Sequence, residues 1–192
     1  MSLRILGGHF KNRILKSPST LLTKPTMSLV RKSVFDICQP FIEQAHFLDL
    51  FACSGAMGIE ALSRGAKQAT FIEKDRKAVH CLRENLKTLG LELQATVLQG
   101  DVFSLINTLS TSYQIIYIDP PYSLIDKVHP SILSLLEQLA TSPSLLASPS
   151  LLFLEERAPG VLSPQNLSLL PLLYKNTRRF GDTLLHQWRK DS

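Results

Sequence analysis

The sequence predicts a doubly wound α/β fold: a mostly parallel sheet, an antiparallel edge pair at its end, and a small N-terminal β-hairpin and helix in front. Three observations predict it. Short apolar runs beginning at Phe47, Ala69, Ala95, Tyr113 and Leu151 alternate with helix-like stretches, the pattern of a parallel sheet covered on both faces. After Pro159 the alternation stops, and Leu167 to Tyr174 and Thr183 to Trp188 read as two further strands with no helix between them. Before Phe47, a Gly7-Gly8 turn signal separates Leu3-Arg-Ile-Leu from Arg13-Ile-Leu, and a helix opens at Pro25-Thr26 and closes at Pro40.

Each element has a local reason. Val30, Val34, Phe35 and Ile37 give the first helix an apolar side. Phe47-Leu-Asp-Leu-Phe-Ala is followed by a Gly-rich turn and the helix-like Ile59-Glu-Ala-Leu-Ser-Arg. Ala69-Thr-Phe-Ile precedes a helix carrying Val79, Leu82, Leu86 and Leu89, and Ala95-Thr-Val-Leu precedes one from Val102 to Leu109. Tyr113-Gln-Ile-Ile-Tyr-Ile is followed by a helix holding Ile132, Leu135, Leu136 and Leu139, then by Leu151-Leu-Phe-Leu. Crossovers between the parallel strands are right-handed. Residues 141–170, rich in Ser, Pro and Leu, read as loops with a weak helix, and Trp188 reads as core. The expected division is a basic arm and helix over 1–40 and an α/β body over 41–192.

Composition narrows the function. The chain has 192 residues, of which 44% are apolar and 19% charged, so it folds around a real core and is not a disordered segment. The three cysteines, Cys38, Cys53 and Cys81, form no CxxC pair, which argues against a structural zinc site or a redox dithiol, and no metal is expected. Their sparse use points to a reducing cytoplasm, and no apolar run reaches the roughly 18 residues a membrane span needs. The net charge of +5 is uneven. Residues 1–36 carry seven basic side chains and one acid, and residues 159–192 carry five and two, around an acidic middle. Basic ends on an acidic body are the footprint of a polyanion binder.

Two motifs carry chemistry. In Asp49-Leu-Phe-Ala-Cys-Ser-Gly-Ala-Met-Gly, Gly55 follows a strand and opens a helix, where backbone approaches a ligand closely. Glu73 ends the next strand, 18 residues on, and Asp101 follows Gly100 at the end of the third. The turn lacks the GxxxxGK[ST] of a P-loop. Three acids at three successive strand ends repel a pyrophosphate and suit a ligand with hydroxyls, an amine and positive charge, which favours S-adenosylmethionine over a nicotinamide dinucleotide. The second motif is Asp119-Pro-Pro-Tyr122 at the end of the fourth strand. Two prolines stiffen the turn and remove donors, so Asp119 and the Pro120 carbonyl stand as acceptors and Tyr122 as a flat face, a set that fits the exocyclic amine of a planar base. Adenine N6 and guanine N2 both meet that description.

Together these segments resemble the RsmD family of bacterial 16S ribosomal RNA guanine-N2 methyltransferases. Ile5-Leu-Gly-Gly-His-Phe-Lys-Asn-Arg-Ile-Leu looks like its opening arm, and Lys24-Pro-Thr-Met-Ser-Leu-Val-Arg-Lys-Ser-Val-Phe-Asp its helix opening. Asp49 to Gly58 with Glu60-Ala-Leu-Ser-Arg-Gly-Ala is similar to its cofactor loop and helix, Phe71-Ile-Glu-Lys-Asp to its ribose-binding strand, and Asp119-Pro-Pro-Tyr to its catalytic turn. The resemblance implies a Rossmann-like methyltransferase using S-adenosylmethionine. Its cofactor would meet Asp49, Phe51, Ala52, Cys53, Gly55, Glu73, Lys74 and Asp101. Asp119, Pro120, Pro121 and Tyr122 would hold a flipped guanine, position 966 of the family's RNA target. Lys11, Arg13, Lys24, Arg31 and Lys32, with Arg178 and Arg179, would meet RNA phosphates. The implied partner is 16S rRNA in a small-subunit particle, met by a monomer in the cytoplasm.

Three positions depart from the family. Cys53 stands where the loop usually has Gly, and a positive φ there would cost Cys53 roughly 1–3 kcal/mol. Ser28 and Leu29 replace a charged pair, and Lys24 replaces Arg, keeping the charge without the fork. Two other functions compete. A DNA adenine-N6 methyltransferase shares the DPPY motif, but only 63 residues separate Gly55 from Asp119 and the alternating fold uses them all, leaving no inserted target reader. A non-catalytic RNA binder on the same fold would tolerate decay of the acidic edge, which is intact here.

Overall fold

The computed structural model describes residues 3–18, 25–121, 129–142, 144–160, 162, 167 and 172–191. Strands β1 (Leu3–Arg4) and β2 (Ile14–Leu15) pair antiparallel, with Leu3 opposite Leu15, and form the expected hairpin. Helix α1 follows over Pro25–Cys38. The alternating body contains β3 (His46–Leu50), α2 (Ala56–Ser63), β4 (Gln68–Glu73), α3 (Arg76–Leu89), β5 (Ala95–Gln99), α4 (Val102–Leu105), β6 (Tyr113–Ile118), α5 (His129–Thr141) and β7 (Leu146–Arg157). Strands β8 (Leu173–Phe180) and β9 (Thr183–Lys190) complete it.

Seven strands make one sheet in the order β5-β4-β3-β6-β7-β9-β8. The five from β5 to β7 run parallel, and β9 pairs antiparallel with β7 and with the edge strand β8. This is the doubly wound α/β sheet with an antiparallel edge pair. The chain order reverses between β3 and β6, so the ends of these two strands flank the crevice where open α/β sheets bind ligands.

Alternate side chains of the central strands feed two cores. Phe47, Phe71, Ile115, Tyr117 and Phe153 point to the face covered by α1, α2, α3 and the arm, where Leu3, Ile5, Leu15, Val34 and Phe35 join them. Leu48, Leu50, Ile116, Ile118, Leu152 and Leu154 point to the other face with Leu135, Leu136, Leu139 and Trp188. Trp188 is fully buried and its indole N–H donates to the Leu167 carbonyl at 3.3 Å.

The C-terminal third differs from expectation. Of the strand anticipated at Leu167 to Tyr174, residues 168–171 lie outside the described residues; the strand described is β8 over Leu173–Phe180, so Arg178 and Arg179 lie in an exposed edge strand and not in a turn. Strand β7 begins at Leu146, inside the segment expected to be loop and weak helix. Ser and Pro mask a strand in a propensity reading; Leu146 pairs with Tyr113 of β6 and residues 150–157 pair with β9, while the register with β6 shifts across the stretch that holds Ser148 and Pro149. Among the described residues no helix is long and apolar enough to cross a membrane.

Candidate active site

The site forms where β3, β4, β5 and β6 end. Asp49 is buried one residue before the end of β3, and its Oδ2 accepts the Gly58 backbone N–H at 2.9 Å. That bond ties β3 to the first turn of α2. Gly58 is required there, because a Cβ would fall 2.2 Å from the Phe71 ring on β4. Between them the backbone makes an unusual turn: Phe51, Cys53 and Gly55 all take positive φ, at 63°, 49° and 79°. Gly55 adopts this freely; Phe51 and Cys53 each hold strain of roughly 1–3 kcal/mol. Cys53 therefore takes up the strained conformation its replacement of Gly implied. The positive φ of Phe51 had no signal in the sequence.

Hydrogen bonds hold the loop against that strain. Ala52 N–H donates to the Ile72 carbonyl at 3.0 Å and Gly55 N–H to the Ala52 carbonyl at 2.7 Å. Glu73 accepts Cys53 N–H on Oε2 and Asp75 N–H on Oε1, both at 2.7 Å. Each carboxylate oxygen keeps a free lone pair, so Glu73 is oriented and still able to accept from ribose hydroxyls. Asp101 caps α4 by accepting Phe103 N–H at 3.0 Å, and its other oxygen pairs with Lys74 Nζ at 3.1 Å. Lys74 is 76% exposed, so it stands at the rim as Asp101's partner, outside the loop itself.

The electrostatics are one-sided. Burial pushes the Asp49 carboxyl well above its usual range; the Gly58 N–H opposes this, while Asp119 and Glu73 add to it. Burial pushes Asp119 up to about 6. Among the described residues, no cation pairs with Asp49, Glu73 or Asp119. A sulfonium with an ammonium group would relieve this crowding, and a pyrophosphate would worsen it. The residues present therefore fit S-adenosylmethionine. The Cys53 thiol is pushed up to about 12, first by burial and then by Glu73, so it is no nucleophile. Asp119 extends the ladder of β6, its N–H donating to the Leu50 carbonyl at 3.3 Å. Pro120 is buried and Pro121 exposed behind it. Tyr122 lies outside the described residues, as does Lys24.

The basic residues separate into two groups. Lys11 and Arg13 are exposed on the hairpin, and Lys32, exposed on α1, pairs with Asp36 at 2.7 Å. Arg178 donates to Ser33 Oγ of α1 at 3.1 Å and Arg179 to the Gly181 carbonyl at 2.9 Å, both from exposed positions. Arg31 corrects the expectation. It is 4% exposed, its Nε lies 3.6 Å from Glu60 Oε2, and its guanidinium donates to the Arg4 carbonyl at 2.5 Å. No phosphate can reach it; its role is to fasten α1 and the arm onto α2.

That fastening involves residues the sequence reading left without a role. Glu60, fully buried, accepts Leu6 N–H at 2.7 Å and Arg64 Nε at 2.8 Å. Ser63 Oγ donates to the Gly7 carbonyl at 2.6 Å and accepts Phe10 N–H at 3.0 Å, while the Ser63 carbonyl accepts His9 N–H at 2.7 Å. A Cβ on Gly8 would strike that carbonyl at 1.8 Å. Thus Glu60-Ala-Leu-Ser63-Arg64 is the receptor for the Gly-Gly arm. Its signal was the polar trio at i, i+3 and i+4, one face of an otherwise apolar helix. On α3, buried Asn85 bonds Lys16 of the arm and the Ser54 carbonyl of the loop.

A family model described as conserved hypothetical protein 95 matches residues 3–186. The chain belongs to this family, the RsmD family. Among curated relatives of this RsmD-family chain, ribosomal RNA small subunit methyltransferase D of Haemophilus influenzae is 30% identical over 172 residues, covering 88% of this chain and 86% of the relative. The protein of the same name from Escherichia coli is 40% identical over 120 residues, a match spanning 62% of this chain and 60% of the relative. The solved structure of yhhF from Escherichia coli superposes with a TM-score of 0.80 at 29% identity, over 100% of this chain and 99% of that one. An RNA methyltransferase from Salinibacter ruber, in complex with S-adenosyl-L-homocysteine, shares the fold at a TM-score of 0.58 and 16% identity, over 90% of this chain and 95% of that one.

Proposed function

We propose that this chain transfers a methyl group from S-adenosylmethionine to the exocyclic N2 amine of a guanine in 16S ribosomal RNA, the family's position 966. The observation that carries the reading is the juxtaposition of the rigid Asp119-Pro-Pro turn with an acidic edge of Asp49 and Glu73 that lacks a cation. The relatives named as small-subunit rRNA methyltransferases support the substrate class. The cofactor, when bound, supplies an electrophilic methyl on a cationic sulfur.

The chain's own residues do the rest. Glu73 accepts from the ribose hydroxyls, and the loop from Phe51 to Gly55, pinned by Asp49 and Ile72, shapes the floor. Asp119 and the Pro120 carbonyl accept the two amine hydrogens. An aromatic amine is a poor nucleophile because its lone pair delocalises into the ring; holding both hydrogens favours a pyramidal nitrogen and aims the lone pair. Positioning of this kind supplies several kcal/mol, and the proton that the nitrogen sheds once it carries the methyl passes to the Asp119 carboxylate. Lys11 and Arg13 of the arm, Lys32 of α1, and Arg178 and Arg179 of β8 supply exposed charge for RNA phosphates. In this reading residues 1–40 grip the RNA and residues 41–192 hold cofactor and base, with the monomer acting on a small-subunit particle in the cytoplasm.

The test is methyl transfer from radiolabelled S-adenosylmethionine to small-subunit particles lacking the modification, with duplex DNA alongside and nucleoside mass analysis of the product. Label in N2-methylguanosine supports the reading. Label in N6-methyladenine, or in DNA, rejects it.

A further inference from the structure

Strand β7 ends beside the catalytic turn. Ile118 of β6 is in register with Leu154 of β7, and Tyr117 with Phe153. Asp119 is two residues after Tyr117 and Glu155 two after Phe153, so both side chains leave the same face of neighbouring strands, whose backbones run about 4.8 Å apart. That face is the one that carries Asp49. Glu155 is half-buried and, among the described residues, accepts no hydrogen bond and meets no cation. Burial alone pushes its carboxyl up to about 8. A half-buried carboxyl left unpartnered beside a reactive turn is a group able to take a ligand's donor. Its neighbour Glu156 differs, because it is bonded to His186 Nε2 at 2.9 Å and to Leu162 N–H at 3.1 Å on the opposite face.

Two acceptors a strand apart call for two donors on neighbouring nitrogens of one base edge. Guanine has them: the N2 amine and the N1–H share a carbon neighbour. Adenine does not, since its amine is flanked by N1, a bare acceptor.

We infer that Glu155 is a specificity-determining residue, accepting the guanine N1–H while Asp119 and Pro120 hold the N2 amine. The inference rests on the proposed function and extends it to a residue outside the Asp-Pro-Pro-Tyr motif. Glu155 accepts N1–H through a carboxylate oxygen or, when neutral, through its carbonyl oxygen, with the hydroxyl turned toward O6. Discrimination thus comes from an atom that does not react.

The experiment compares the native chain with Glu155→Gln and Glu155→Leu. Particles carry either guanine or 2-aminopurine at the target; the analogue keeps the N2 amine and lacks N1–H. Both substitutions remove a half-buried carboxyl that makes no hydrogen bond among the described residues, so both should fold, and cofactor affinity by calorimetry reports that directly. The native chain should prefer guanine by about 100-fold in kcat/KM, the scale of a buried acceptor left unpaired. Glu155→Leu should lose at least about 10-fold on guanine and shrink the preference to a similar degree, with cofactor affinity unchanged. Glu155→Gln, which keeps an acceptor oxygen, should recover most of both. An unchanged preference in Glu155→Leu, or a loss not rescued by Gln, overturns the inference while native turnover on guanine leaves the function standing. No transfer to guanine by the native chain overturns both.

Discussion

Asn85 holds Lys16 by both backbone groups: its Oδ1 accepts Lys16 N–H at 2.8 Å and its Nδ2 donates to the Lys16 carbonyl at 2.9 Å. The same Nδ2 donates to the Ser54 carbonyl at 3.0 Å. One buried amide therefore joins the arm that would grip RNA to the loop that would hold cofactor. Asn85→Asp keeps the shape and turns two donations into repulsions. It should lower Tm and weaken S-adenosylhomocysteine binding about 10-fold, since each orphaned buried group costs roughly 1–3 kcal/mol. Calorimetry on the folded variant checks this; undiminished binding would show that the loop keeps its shape without the arm.

Arg31 and Arg13 should separate cleanly, although both are basic residues of the same N-terminal region. Arg31→Ala takes from buried Glu60 one of its two cations, leaving Arg64, and strips the Arg4 carbonyl of its donor, so it should cost about 1–3 kcal/mol, the scale of an orphaned buried group. Denaturant unfolding reads it. Arg13→Glu should leave stability within about 0.5 kcal/mol and weaken RNA binding, with a shallower salt dependence. A stable Arg31→Ala protein, or an unaltered salt slope in Arg13→Glu, would contradict this division.

The contrast also marks what was legible. Apolar alternation located the parallel strands because each buries both faces. Glu73 and Asp119 were readable because strand ends sit at fixed places in a doubly wound sheet. Burial of Arg31 was not, because it depends on Glu60, 29 residues away and on a different helix. Glu155 was hidden likewise: its meaning comes from strand register with β6, a long-range property, and not from any local motif. Strand β8 was misplaced because an exposed edge strand of Lys, Asn, Thr and Arg has no apolar period to read.

Asp119 should impose an acid limb on activity. Its carboxyl lies at about 6, raised by burial. Below that pH it is protonated and loses acceptor strength, so kcat/KM should fall with unit slope below pH about 6 and level off above it. Stability runs the other way. The folded pKa exceeds the unfolded value of about 3.9, so the unfolded chain releases its proton first and stability declines as pH rises between the two. Asp119→Asn should therefore abolish transfer and raise Tm by about 2–4 °C at pH 8, with no gain at pH 3. Equal Tm gains at both pH values would place the stabilisation elsewhere than in the carboxyl's charge.

Cys53→Gly should relax the cofactor loop. Cys53 sits at φ 49°, and Gly adopts that conformation without a Cβ penalty. Against the relief stands the greater freedom Gly gives the unfolded chain, about 0.5–1 kcal/mol. Strain of roughly 1–3 kcal/mol outweighs it, so the substitution should be neutral to stabilising by about 1–2 kcal/mol. The Cys53 N–H to Glu73 bond is a backbone donation and survives the change. Cofactor affinity should therefore stay within about threefold. Cys53→Val tests the same strain from the other side, because a β-branched residue tolerates positive φ poorly, and it should lower Tm. If Gly destabilises as much as Val does, the thiol's packing, and not its backbone angle, governs the loop.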